Sequence, residues 1–200
     1  MKNIKNHENT IILLMGIAGS GKRTVGEALR HLDNSFKLVH QHTAWVDPIL
    51  NLLGDDSSVW WSLTADGWQK INEARDVILS TIADVCPKSS NFIITFEMWD
   101  KDPYHLEFYK KVLNVVKKRD ALFVPVRLIC DENNLVSRIQ EKDRRHYFKT
   151  HDPELAKQRF KEKTVFYSNH KNELTLDISN ISPENAAEEI LKHIDLNVSH

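Results

Sequence analysis

The stretch from Gly16 to Thr24, GIAGSGKRT, decides how the rest of the chain is interpreted. It follows the apolar run Ile11 to Met15 and leads into a segment of helical period that ends near Leu32. Glycines between a strand and a helix let backbone N–H groups turn toward a phosphate, and the positive end of the helix adds to the attraction. The stretch therefore predicts a phosphate-binding loop, with Lys22 reaching the outer phosphates.

This loop fits the glycine-rich P-loop except at one position. The strict pattern has Ser or Thr directly after the lysine to contact Mg²⁺, whereas here Arg23 follows Lys22 and the hydroxyl comes at Thr24. Thr24 is predicted to bond a phosphate oxygen, with Mg²⁺ held by Thr24 directly or through water and a carboxylate from elsewhere. No Asn-Lys-x-Asp guanine-reading motif is present, so ATP is the expected nucleotide. The predicted nucleotide-binding residues of the loop are Gly16, Ala18, Gly19, Ser20, Gly21, Lys22, Arg23 and Thr24.

Length and composition indicate an ordinary globular chain of 200 residues, 41% hydrophobic and 28% charged, interpreted as one domain over residues 1–200. Its 27 basic and 28 acidic side chains give a net charge of -1, which favours neither nucleic acid nor a membrane surface as a partner. Only Cys86 and Cys130 are present, and no apolar run reaches the roughly 18 residues of a membrane span. We expect a cytoplasmic monomer or homodimer.

Short apolar runs alternate with longer segments of helical period, which predicts an α/β fold with a parallel sheet between two layers of helices. Pro125 is unexpected in the fourth strand, which is predicted to begin after it or to bulge there. Asp or Ser followed by Pro, at Asp47, Asp102, Asp152 and Ser182, predicts four helix starts, each with an N-cap side chain. The predicted strands are Thr10–Met15, Phe36–Gln41, Asn91–Glu97, Leu122–Cys130 and Glu173–Ile178. The predicted helices are Arg23–Leu32, Ala65–Val85, Pro103–Lys118, Glu132–Glu141, Pro153–Lys163 and Pro183–Ile194.

The loop, the order of elements, a basic segment after the fourth strand and the ending Leu176 to Glu184 together resemble the small-molecule P-loop kinases. Shikimate kinase, gluconate kinase and adenylylsulfate kinase are the relatives concerned. The resemblance implies a three-layer P-loop NTPase fold with a five-stranded parallel sheet, use of ATP and Mg²⁺, and a mobile lid at about residues 142–152.

The lid assignment is supported by charge, because residues 138–163 carry nine basic and five acidic side chains. Arginine forms a planar clamp on phosphate, so Arg138, Arg144 and Arg145 are the leading candidates. Arg144 and Arg145 are predicted to act in catalysis. Arg138 is predicted to stack on adenine, whose other face would meet the loop at Ser179 and Asn180, since ligands gather beyond the carboxyl ends of parallel strands. A solvated basic surface is the alternative.

Two carboxylates are candidate catalytic groups. Glu97 ends the third strand, where a doubly wound sheet opens its ligand crevice. Asp47 follows the second strand and would orient Mg²⁺ or accept a proton from the acceptor hydroxyl, although a helix N-cap also accounts for it.

The segment from about residue 43 to 64 is the least regular and is interpreted as a substrate-side insertion. Tryptophans in and around it provide rigid surfaces that would enclose a ring or sugar: Trp45, Trp60, Trp61, Trp68 and Trp99. His40 and His42 would share a face if the second strand continued through them, which suits substrate contact or, with a third ligand, Zn²⁺.

Three functions remain open from the sequence. The leading one is transfer of the γ-phosphoryl group of ATP to a small-molecule acceptor. The second is a nucleoside or nucleotide kinase, which would share the loop and the lid. The third is a regulatory switch that binds ATP without transferring phosphate, a reading that Arg23 at the usual Ser/Thr position keeps open.

Overall fold

The computed structural model describes residues 7–56, 58–140 and 152–198, and it confirms the predicted α/β architecture. Five parallel strands form one sheet in the order β2-β3-β1-β4-β5. The strands are β1 Thr10–Gly16, β2 Phe36–His40, β3 Asn91–Glu97, β4 Leu122–Ile129 and β5 Leu174–Asp177. The helices are α1 Lys22–Leu32, α2 Asp47–Leu50, α3 Val59–Ser62, α4 Ala65–Asp84, α5 Pro103–Arg119, α6 Glu132–Ile139, α7 Pro153–Glu162 and α8 Pro183–Val198, with a π-helical turn at His42–Val46.

The central strand β1 is apolar throughout because both of its faces are covered. Ile11, Leu13 and Met15 point into the core shared with α4 and α5, whereas Ile12 and Leu14 point into the core shared with α1 and α8. All five side chains are fully buried. Because side chains alternate between the two faces of a strand, β1 contributes to the cores on both sides of the sheet. It is also the middle strand, so the loop that follows it lies at the centre of the sheet.

Strand β4 runs through Pro125, so the prediction that it begins later or bulges there was wrong. Pro125 pairs in register with Leu13 of β1, and β5 begins only opposite Val126. On the β5 side Pro125 therefore faces no strand, and the missing N–H costs no ladder hydrogen bond there.

Three of the four predicted helix starts are confirmed. The carboxylates of Asp102 and Asp152 accept hydrogen bonds from first-turn N–H groups of α5 and α7, and Ser182 Oγ accepts from the N–H of Asn185. The N-cap assigned to Asp47 was wrong. The π-helical turn continues directly into α2, so Asp47 is already inside helical backbone and its carboxylate contacts His42 instead.

Strand β2 ends at His40, which overturns the premise that His40 and His42 lie on one strand face. From Gln41 the chain turns into helical geometry, and the predicted insertion at about residues 43–64 consists of short helical segments. No helix of the described ranges is long and apolar enough to cross a membrane.

Candidate functional site

One cavity of about 1300 Å³ opens at the carboxyl ends of the strands, where a doubly wound sheet binds its ligands. The loop after β1 and the start of α1 form its floor. Segments after β2 and β3 line one end, and residues of α6, α7 and the chain after β5 line the other. The sheet order therefore divides the cavity into two ends on either side of the glycine loop.

The loop has the backbone geometry that its glycines predict. Gly19 and Gly21 adopt φ values of 88° and 73°, a left-handed region that disfavours residues with a Cβ. A Cβ on Gly16 would lie 2.9 Å from the carbonyl oxygen of Leu128, so a larger residue would displace β4 or the loop. These three positions keep the loop tightly curled beneath the first turn of α1, whose N–H groups have no partner within the helix.

Lys22 is the first residue of α1 and is only 8% exposed. Its Nζ donates hydrogen bonds to the carbonyl oxygens of Gly16 and Ile17, at 2.9 and 2.8 Å. The ammonium is thus held against the loop at the cavity floor, where the loop carbonyls satisfy it without a phosphate. Lys22 therefore lies where the loop pattern places it, and its contact with a nucleotide stays a prediction.

Glu97 lies at the end of β3 and lines the cavity, as its place in the sequence suggests. Its Oε1 accepts a hydrogen bond from the backbone N–H of Ala18 at 3.2 Å, and its own N–H donates to Gln41 Oε1 at 2.9 Å. Glu97 therefore joins the glycine loop to the segment after β2.

Arg23 and Thr24 both line the cavity from the first turn of α1. Arg23 Nε donates to Glu27 Oε1 at 2.8 Å, one helical turn further on. The Thr24 side chain is exposed on the cavity side of α1. The hydroxyl that the loop pattern places after the lysine is thus still available to a ligand, one residue later.

Arg138 of α6 lines the end of the cavity formed by the residues after β5. Its guanidinium donates to the carbonyl oxygen of Ile178 at 2.9 Å, which brings α6 and this segment together as the adenine prediction requires. The wall itself is formed by Ile178 and Ile181, and Ser179 turns back to accept a hydrogen bond from the N–H of Asp131. Neither Ser179 nor Asn180 is among the lining residues.

The opposite end of the cavity is aromatic. Trp60 and Trp68 pack with ring centroids 5.4 Å apart, and the rings of His42 and Trp60 are nearly perpendicular with centroids 6.5 Å apart. Trp45 is buried behind them, where it contacts Phe96. The predicted substrate-side segment therefore contributes rigid ring surfaces to the cavity, and Trp61, 79% exposed, lies at its rim.

Two histidines of this aromatic end are fixed by neighbours. His42 Nδ1 lies 2.9 Å from Asp47 Oδ1, and His40 Nδ1 lies 2.6 Å from Thr95 Oγ1. His40 and His42 line the cavity, whereas Asp47 is 7% exposed and does not. Within the described residues, no group of three or more His, Cys, Asp or Glu side chains is arranged to hold a metal ion.

The sequence reasoning did not single out several side chains that line the cavity, among them Asn72, Tyr104 and His105, and it counted Arg159 only within the basic segment. Tyr104 donates to Asn72 Oδ1 at 2.9 Å, and Arg159 lies 5.5 Å over the ring of Trp99. The available signal was the Asp-Pro helix start directly after β3, which places the first turn of α5 beside the crevice. The candidate lid residues Arg144 and Arg145 lie outside the described residues.

His105 is held as a neutral ring. Burial lowers its pKa, and the N–H of Trp99 donates to its Nδ1 at 3.0 Å. The acceptor role of Nδ1 places the ring hydrogen on Nε2.

Several solved kinase structures are similar to this chain over nearly its whole length. A proposed kinase from Chloroflexus aurantiacus has a TM-score of 0.66 at 16% identity and covers 94% of this chain and 98% of its own. A gluconokinase from Sinorhizobium meliloti has a TM-score of 0.60 at 14% identity, covering 95% and 94%. Shikimate kinase from Acinetobacter baumannii, in complex with shikimate, has 0.58 at 16%, covering 96% of each.

The chain has the fold of the P-loop small-molecule kinases. This confirms the three-layer fold expected from the glycine loop and the order of elements. No protein-family model and no curated protein matches the sequence. This fold places the glycine loop after β1 at the centre of the sheet, at the floor of the cavity.

Proposed function

We propose that this chain is an ATP-dependent kinase that transfers the γ-phosphoryl group of ATP to a hydroxyl group of a small molecule. The two-ended cavity carries this proposal. A glycine cradle with a buried Lys22 forms its floor, an aromatic surface with His40 and His42 forms one end, and Glu97 lies between them. A site that only bound nucleotide would not need the second, aromatic end.

At the nucleotide end, the N–H groups of the loop and of the first turn of α1 would bind the phosphates. Lys22 would exchange its bonds to the loop carbonyls for the outer phosphates, and Thr24 would bond a phosphate oxygen. Adenine would lie against Ile178 and Ile181, with the Arg138 guanidinium on its other face. Ser179 and Asn180 lie between Ile178 and Ile181 in sequence and do not line this wall.

The residues of the loop also fit Mg²⁺, which prefers oxygen ligands and keeps several waters. Thr24 supplies a hydroxyl at the cavity, and Glu97 supplies a carboxylate across the loop. We infer that these two residues would hold the ion, Glu97 through water, while Glu97 keeps its bond to Ala18. Bound Mg²⁺ would neutralise charge on the phosphates.

Transfer needs a proton acceptor and positive charge around the phosphoryl group. Because Asp47 engages Nδ1 of His42, the neutral ring would use Nε2 to accept the proton of the acceptor hydroxyl. The hydroxyl oxygen bonds to the γ-phosphorus as the bond to the β–γ bridging oxygen breaks, and ADP leaves. Asp47 then acts through His42, and Lys22, Arg144 and Arg145 stabilise the charge on the transferring group.

The proposal is tested by nucleotide binding and by acceptor-dependent formation of ADP, each measured with Lys22→Ala. A matched control is Lys192→Ala, whose exposed ammonium pairs with Glu189 on α8, away from the cavity. We expect wild type and the control to bind ATP and to form ADP only when an acceptor is added, and Lys22→Ala to lose ADP formation. Tight ATP binding with no transfer to any acceptor would favour a switch and contradict the proposal.

A further inference from the structure

We infer that the acceptor of this site is an uncharged, hydroxylated molecule that presents a flat apolar face, such as a nucleoside or an aryl glycoside, and not an anionic metabolite. This inference rests on the proposed function, since it concerns the end of the cavity that would hold the acceptor.

The first argument is the distribution of positive charge around the cavity. Its four described cationic lining residues are Lys22, Arg23, Arg138 and Arg159, which belong to α1, α6 and α7. Arg159 lies 5.5 Å over the ring of Trp99, on the α7 side of the acceptor end, and the other three belong to α1 and α6. Along the described ranges, the lining residues contributed by the segments after β2 and by α4 and α5 include no lysine or arginine. An anionic group held by those segments would therefore lose water without gaining a counter-ion from their described residues, which is costly.

Arg75 is a cation of the acceptor side that is already engaged. It is 2% exposed and lies behind the cavity wall. Its Nε donates to Asp76 Oδ1 at 3.1 Å, and its NH1 group donates to the Tyr104 hydroxyl at 3.1 Å. Arg75 therefore orients Tyr104 instead of presenting a charge to a ligand.

The second argument is the surface that remains. Trp60 and Trp68, with centroids 5.4 Å apart and planes 41° from each other, form an open corner of two large rings. Such a corner fits the flat face of a base, an aryl group or a sugar ring. The polar groups around it are neutral or can be neutral: the Asn72 amide, the Tyr104 hydroxyl and the imidazole of His42. Groups of this kind recognise hydroxyls by hydrogen bonding.

Two matched pairs of probes test the charge preference. Uridine and its 5′-monophosphate differ by a phosphate, and p-nitrophenyl glucoside and p-nitrophenyl glucuronide differ by a carboxylate. Binding is followed by tryptophan fluorescence and calorimetry on the full chain, saturated with a nonhydrolysable ATP analogue so that the nucleotide end is filled. We expect the neutral member of at least one pair to bind about tenfold more tightly than its anionic partner, or about 1.4 kcal/mol. The pair that shows the preference tells whether the base or the glycoside is the better fit.

Variants then place the binding at the aromatic corner. Trp68→Ala is expected to weaken the preferred neutral probe about tenfold or more, whereas Tyr167→Ala, a half-exposed aromatic away from the cavity, leaves it unchanged. Asn72→Arg is expected to shift the preference toward the anionic member. Anionic members that bind as tightly as neutral ones, or neutral members that fail to bind, would overturn the inference. Selective binding of neutral probes without phosphoryl transfer would leave it intact and refute the proposed kinase activity.

Discussion

The carboxylate of Asp47 and the Nδ1 atom of His42 lie 2.9 Å apart, with both side chains largely buried beside the cavity. An ionised carboxylate can only accept a hydrogen bond, so His42 donates from Nδ1 and the neutral ring keeps its acceptor at Nε2. His42 lines the cavity and Asp47 does not. In the proposed mechanism His42 therefore takes the proton-accepting role expected of Asp47, and Asp47 orients the His42 ring.

This pair predicts unequal effects of substitution. His42→Ala should lower kcat about 100-fold, because a positioned proton acceptor is lost. Asp47→Asn should lower it less and change its pH dependence, since an amide at this position no longer fixes the tautomer. ATP binding should remain unchanged in both variants. Steady-state kinetics across pH check this, with His31→Ala on the exposed face of α1 as the control. Full activity in His42→Ala would exclude the ring as the proton acceptor.

Substitution of Thr24 distinguishes whether its hydroxyl, one residue later than in the usual loop pattern, binds a phosphate oxygen or Mg²⁺. If it bonds a phosphate oxygen, Thr24→Ala should weaken ATP binding several-fold even when Mg²⁺ is removed with a chelator. Calorimetric titrations with and without the ion separate the two roles. A loss confined to titrations that contain Mg²⁺ would instead make Thr24 a direct ligand of the metal.

Loss of the arginines in the basic segment after α6 is expected to slow turnover. Replacing Arg144 and Arg145 together with Ala should lower kcat about 100-fold and change ATP affinity only a few-fold, because guanidinium groups gain most where phosphoryl charge develops. Lysine at both positions should restore part of the rate. The control Lys157→Ala removes a cation that pairs with Glu154 on the surface of α7. Ordinary turnover of the double alanine variant would show that this segment is only a solvated basic surface.

Because His105 is buried, we expect the protein to lose stability as the pH falls. Burial lowers its pKa below the ordinary value of 6.5, so the unfolded chain binds this proton more readily than the folded one. The free energy of unfolding should therefore fall as pH decreases through 6.5 toward the folded-state value. Asn at position 105 keeps an acceptor for the Trp99 N–H but does not titrate. Urea unfolding at about pH 8 and about pH 5 should show a smaller decrease for His105→Asn than for wild type, and equal decreases would contradict this assignment.

Substitution of Arg119, which lies away from the cavity, is expected to destabilise the fold strongly. Its guanidinium, 1% exposed, donates to the carbonyl oxygens of five residues from the last turn of α4 to the start of β3: Ile82, Cys86, Pro87, Lys88 and Ser90. Arg119→Met should lower the free energy of unfolding by about 3 kcal/mol or more, since buried carbonyls lose their donors. Lysine should recover only part of this, and Arg30→Met on the exposed side of α1 serves as the control. Urea denaturation measures the difference.

The fold could be predicted from the sequence where the local sequence pattern and the tertiary packing favour the same structure. Strand β1 could be identified because its residues are buried on both faces, and the glycine loop because only a few backbone conformations bring N–H groups onto a phosphate. The helix starts at Asp102 and Asp152 could also be predicted from local sequence, because an acceptor side chain before proline binds the unpaired N–H groups of the first turn.

The errors occurred where tertiary contacts override local pattern. Pro125 is tolerated within β4 because β5 begins one residue later, which depends on pairing between strands distant in sequence. Asp47 has the local pattern of an N-cap, yet the π-helical turn that begins at His42 brings it into helical backbone and against that histidine. Asn72 and Tyr104 reach the cavity through the packing of α4 on α5, which no short motif encodes.

The most direct test of the kinase account is a single-turnover reaction with enzyme in excess over ATP labelled at its γ-phosphate, with Mg²⁺ and a neutral acceptor selected by binding. The account predicts that the label appears on the acceptor hydroxyl in wild type and stays in ATP for Lys22→Ala. Label that remains in ATP in the wild-type reaction, or that is released only as inorganic phosphate, would contradict it.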